Sequence, residues 1–113
     1  MTTSERSSEP ESVDEAAIAA VNDERRRAVL RALAAADDQH LPFDDVVEVL
    51  AEHVDVGEES PEDRRRRLGI ALHHVHLPRL EDVDLVDRPG EEQIRLTDEH
   101  RARQLLDRFE SVE

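Results

Sequence analysis

Four consecutive arginines, Arg64-Arg65-Arg66-Arg67, and a histidine group, His73, His74 and His76, are the side chains of this 113-residue chain best suited to do chemistry. Residues 64–80 hold five Arg, three His and no acid, whereas residues 37–63 hold eleven acids and no Arg. Charge is therefore segregated along the chain. Guanidinium forks bind phosphate oxygens and guanine edges, and a histidine can hydrogen-bond to either. At helical spacing Arg64, Arg67, Ala71 and His74 share one stripe. Leu68, Leu72, His76 and Leu80 lie on the other side, with Gly69 among them, where a missing side chain permits close helix approach. Cations at a helix start oppose its dipole, so the run points to a role outside the helix. The competing reading is a solvated run paired with Glu59, Glu62 and Asp63.

Other chemistries have less support. His73 and His76 sit three apart, but a third metal ligand would have to come from an acid or from His40, His53 or His100. No second motif has ligand spacing, so no metal is expected and His76 is read as a hydrogen-bonded core residue. There is no Cys, no serine in a nucleophile elbow, and only three Gly with which to build a phosphate loop. Neither enzyme activity nor a cofactor is expected. Arg26 lies beside the core face near Val29, Leu30 and Leu33, which predicts an ion pair with an acid of a neighbouring helix. Arg27 and Arg31 face out and are expected to be solvated.

The chain carries 29 acids against 15 bases, a formal charge of −14, and every base is Arg. Phe43 and Phe109 are the only Phe, Tyr or Trp residues. Few large side chains, no Lys and abundant acids match the composition of proteins from salt-in halophiles. Such a surface repels nucleic acid and strains the fold at low ionic strength. At 1 M salt the screening length is roughly 3 Å and the repulsion largely vanishes. No apolar run approaches the roughly 20 residues of a membrane helix, and no secretory signal is visible. A cytoplasmic protein without a membrane partner is expected.

The positioning elements follow from periodicity and caps. Residues 1–11 read as a disordered acidic tail. A short helix covers 13–21 with Val13, Ala17, Ile18 and Val21, and Asn22 caps a second over about 23–36. Residues 37–40 are a polar connection. Phe43, Val46, Val47, Leu50 and Val54 predict a helix over about 43–54. Ser60, Pro61 and Asp63 form a strong start signal for a helix running to about 76, with a kink or stop near Pro78. Residues 85–88 and 93–96 read as a hairpin turning at Pro89-Gly90. Thr97 then caps a last helix carrying Ala102, Leu105, Leu106, Phe109 and Val112 on one arc. The fold class is mainly α with a short β-hairpin: a domain over 12–97, then a C-terminal helix over 98–113.

This order looks like a winged helix-turn-helix, a three-helix core plus wing, with an extra helix at each end. His76-Leu77-Pro78-Arg79-Leu80-Glu81-Asp82-Val83-Asp84-Leu85-Val86 resembles the stretch from recognition helix to wing in ArsR-like repressors. Residues 22–30, Asn-Asp-Glu-Arg-Arg-Arg-Ala-Val-Leu, resemble the opening helix of small winged-helix proteins of halophilic archaea. His73-His74-Val75-His76-Leu77-Pro78 is similar to the third helix of that group. Three features depart from the repressor pattern. Asp84 replaces a glycine but tolerates a left-handed turn, Pro78 replaces a polar helical residue, and the wing tip Glu91-Glu92 is acidic.

The resemblance implies a transcriptional regulator binding double-stranded DNA. Its third helix would enter the major groove through Arg64, Arg67 and His74, with Arg65, Arg66 and Arg79 on the backbone. A second reading is a winged-helix interaction module that has lost DNA binding and docks an Arg-rich protein on its acidic surface. Four phosphate contacts would lose on the order of 10³–10⁴ in affinity between 0.2 and 2 M salt. DNA binding therefore calls for a homodimer. The C-terminal stripe either pairs with its copy in a second chain or folds back on Val13, Ile18 and Val21.

Overall fold

The computed structural model describes residues 15–53 and 58–110. The 1–11 tail, Val13, Val54 and Val112 lie outside them. Residues 15–21 form helix α1, which buries Ala17, Ala20 and Val21. Helix α2 (Glu24–Ala35) is capped by Asp23, one residue beyond the expected Asn22. The Asp23 carboxylate accepts the amides of Arg25 at 2.8 Å and Arg26 at 3.3 Å. An anion also complements the positive helix start, which an amide cannot do.

The polar connection after α2 is structured. A 3₁₀ turn (Asp37–Gln39) puts Asp38 and Gln39 at φ 56° and 58°. It delivers the chain into a short strand, β1 (His40–Pro42). Helix α3 (Phe43–Glu52) follows and buries Val46, Val47 and Leu50.

Helix α4 (Pro61–Ala71) starts as its sequence predicts, with Ser60 Oγ accepting the Asp63 amide at 3.1 Å. It does not stop near Pro78. A π turn (Leu72–His76) passes directly into helix α5 (Leu77–Asp82), and the Leu77 amide donates to the Leu72 carbonyl. The wider turn just upstream accommodates a proline ring that would clash with a regular preceding turn. Asp84, at φ 61°, makes the left-handed turn expected of it, and the Leu85 amide closes the helix end on the Leu80 carbonyl at 3.0 Å. Gly69 is not needed for close packing. A Cβ there would stand 3.7 Å from Phe43 Cε1 and 3.8 Å from Val47 Cγ2, ordinary contact.

Strands β2 (Val86–Gly90) and β3 (Gln93–Leu96) form the hairpin. The reversal falls at Glu91–Glu92, because a register shift between Asp87 and Gly90 keeps Pro89-Gly90 inside β2. β1 adds to the other side of β3, giving an antiparallel sheet of order β1-β3-β2.

Helix α6 (Glu99–Glu110) is capped by Asp98, whose carboxylate accepts the Arg101 amide at 3.1 Å. Thr97, the expected cap, instead donates its hydroxyl to the Asp84 carbonyl. The apolar stripe of α6 folds back on its own chain: Ala102, Leu105 and Leu106 join the core that contains Leu30, Leu33 and Val21. Arg27 and Arg31, expected to be solvated, secure it. Arg27 lies 4.7 Å over the Phe109 ring and donates to the Val21 carbonyl at 2.9 Å, while Arg31 pairs with Glu110. The result is a mainly helical fold with a small three-stranded sheet around an aliphatic core. No described helix is long and apolar enough to cross a membrane.

Candidate functional site

α4 and the π turn after it place Leu68 and Leu72 in the core, which leaves Arg66, Ile70, His73 and His74 exposed. A groove of about 530 Å³ between α3 and α4 is lined by Glu48, Arg65, Arg66, Ile70, His73 and His74, among others. A second, of about 760 Å³, lies against the hairpin and includes Arg88, Glu91 and Glu92. The two share Phe43, Asp44 and His73, so they form one continuous face.

The hairpin is tied to that face. Arg88 Nη1 stands 3.1 Å from His73 Nδ1, which accepts and so places the ring proton on Nε2. The Arg88 guanidinium sits 5.5 Å from the Phe43 ring centroid, and its Nη2 donates to the Glu91 carbonyl. The Phe43 amide donates to the Glu92 carbonyl at 2.7 Å. The start of α3, the π turn that follows α4 and the hairpin tip are thereby locked together.

The arginine run is less free than its sequence suggests. Arg65 pairs with Glu48, Arg66 approaches Asp63 at 3.6 Å, and Arg67 meets Glu59 at 2.5 Å. The hydrogen bond from Arg67 holds the Glu59 carboxyl below its ordinary range and raises the Arg67 guanidinium in return. Arg64 is half-buried, and its Nε is enclosed without a hydrogen-bond partner among the described residues. His74 is exposed, edge-on to His73 at 4.7 Å. Thus Arg65, Arg66 and His74 reach one groove, while Arg67 and Arg79 line neither. Asp44, Glu48, Glu91 and Glu92 stand beside the cations on the same face.

Sequence reasoning missed Arg88, His73 and Phe43 as parts of this face. Phe43 reads as a core residue and Arg88 as an ordinary strand residue. Only the fold joins them, across 45 residues.

Behind the face lie Arg26 and His76, the buried polar side chains of the described residues, at 8% and 5% exposure. Arg26 Nη1 is 3.2 Å from His76 Nδ1, its Nε donates to the Ala20 carbonyl, and its Nη2 lies 3.9 Å from Asp23. Its acidic partner is therefore its own helix cap, not an acid of a neighbouring helix. Burial pushes the His76 pKa down; Asp23 opposes that shift, and Arg26, Arg25 and Arg79 add to it. His76 thus sits in the core as the hydrogen-bonded residue expected. Among the described residues no three His, Asp or Glu side chains converge as a metal site.

Residues 18–95 match a family described as a domain of unknown function, DUF7344. No curated protein and no solved structure matches the chain.

Proposed function

The chain belongs to the DUF7344 family, and for this member we propose a DNA-binding transcriptional regulator of the winged helix-turn-helix type, working in the cytoplasm. In this reading α2, α3 and α4–α5 are the three-helix core, and the β2–β3 hairpin is the wing. The observation that carries it is the 3.1 Å contact between His73 and Arg88. It joins the exposed side of the acid-free stretch 64–80 to the hairpin, the pair of elements that such proteins lay across adjacent grooves. Arg66 and His74 are then placed towards base edges, and Arg65 and Arg88 towards phosphates. Arg64, Arg67 and Arg79 contribute from the flanks. Molar salt weakens each phosphate contact, so the regulator acts as a homodimer on half-sites about 34–36 Å apart. Because the α6 stripe is used within the chain, the dimer contact lies elsewhere on the surface.

One observation favours the interaction-module reading. Three of the four consecutive arginines already face carboxylates, and the hairpin tip is Glu91-Glu92. Selection from a random duplex library in about 1–2 M KCl separates the two. Enrichment of a duplex with a two-fold repeat is expected. Retention of no duplex at any salt would overturn DNA binding and leave the protein-docking reading.

A further inference from the structure

Among the described residues the exposed large apolar side chains are Ile70, at 56%, and Val75, at 43%. Both stand on the helical stretch assigned above to the major groove. Building on that DNA-binding reading, we propose that Ile70 is a specificity-determining residue that reads thymine by packing on its C5 methyl group.

Ile70 lines the α3–α4 groove with Arg65, Arg66, His73 and His74; of the two acids in that groove, Asp44 and Glu48, the second is already held by Arg65. An exposed apolar side chain with two arginines and two histidines beside it suits a surface that is anionic outside and carries an apolar group within. Duplex DNA is such a surface, and the thymine methyl is the apolar group on its major-groove base edges.

Salt sharpens the point. Arg65, Arg66 and Arg67 must release Glu48, Asp63 and Glu59 to reach phosphate. The gain from doing so falls steeply as salt rises. Packing of a methyl group on Ile70 involves no charge and is not screened. Sequence discrimination in concentrated salt therefore rests on Ile70 more than on the arginines.

The test uses the full chain and a duplex it enriches from a random library. Each thymine is replaced in turn by deoxyuridine, which lacks only the methyl group. At one thymine per half-site the replacement should weaken wild-type binding about fourfold, the worth of one buried methyl. The same replacement should leave Ile70→Ala binding unchanged, while the salt slope stays constant for both proteins. Ile70→Val, which keeps a branched surface, should retain most of the discrimination. Equal losses in wild type and Ile70→Ala, or no loss at any thymine, overturn the role of Ile70 while DNA binding stands. Failure to enrich any duplex removes DNA binding and this role together.

Discussion

The guanidinium of Arg26 and the imidazole of His76, fifty residues apart in the chain, meet in the core at 3.2 Å. Arg26 also holds the Ala20 carbonyl at the end of α1 and lies beside Asp23 at the start of α2. Three helical segments thus converge on one side chain. The contact requires a neutral His76, since only an unprotonated Nδ1 can accept from arginine.

That requirement fixes a pH dependence. The folded pKa of His76 is lowered below its ordinary 6.5, so the unfolded chain binds a proton more readily. The contribution is complete above pH 6.5 and is lost as pH falls through the folded value. Unfolding in about 2 M KCl, where charge repulsion is screened, should show stability dropping as pH falls below about 6.5. His76→Leu should remove this limb and cost about 1.5–3 kcal/mol at pH 7, because Arg26 loses an acceptor. An unchanged limb in the variant would assign the titration to another group.

The carboxylates facing the arginine run should restrain nucleic-acid binding. Glu48→Gln with Glu59→Gln frees Arg65 and Arg67 and removes two negative charges. Affinity for duplex DNA should rise, and the slope of log affinity against log salt should steepen by about 0.9 for each phosphate newly contacted. Fluorescence anisotropy across a salt series reads both quantities. Higher affinity at an unchanged slope would mean that the freed arginines do not reach phosphate.

Ionic strength should stabilise the fold itself. A charge of −14 on 113 residues repels itself across distances that about 0.1 M salt screens only beyond roughly 10 Å. The unfolding temperature should climb between about 0.1 M and 2 M KCl. A flat profile would show that ion pairs such as Arg95–Asp87, at 2.7 Å, and Arg31–Glu110 already balance the surface.

The C-terminal helix gives a test of chain assembly. Leu106→Ala should cost about 2–5 kcal/mol, the usual range for a buried leucine. The loss should be the same at every protein concentration, because Leu106 is covered by its own chain. A melting temperature that rises with concentration in wild type but not in the variant would mean that α6 is shared between chains.

The parts of this fold legible in sequence are those with local causes. Val46 and Leu50 announce α3 by spacing, Ser60 and Pro61 announce α4, and Asp84 announces its left-handed turn. β1 was not legible, because three residues ending in Pro42 are too few to display alternation. The cap assignments at Asn22 and Thr97 each missed by one residue, since adjacent Asn-Asp and Thr-Asp pairs offer two competent side chains. The partners of the arginines depended on distance in space. Glu48 and Arg65 are seventeen residues apart and meet only because α3 and α4 pack together. The hairpin reversal falls at Glu91–Glu92 because the register shift between Asp87 and Gly90 draws the Pro89-Gly90 turn signal into β2.

One consequence of the α6 packing concerns how such proteins are delimited. The stretch that identifies the family ends at residue 95, three residues before the Asp98 that caps α6. Yet α6 plugs the core with Ala102, Leu105 and Leu106, and fully buried Ala17 precedes the matched stretch at the other end. The segment by which relatives are recognised is therefore shorter than the segment that builds the core. A polypeptide trimmed to 18–95 would bare the leucines of α2 to water and behave as a fragment. A relative sharing only that stretch must draw an equivalent plug from elsewhere in its own chain or from a neighbour.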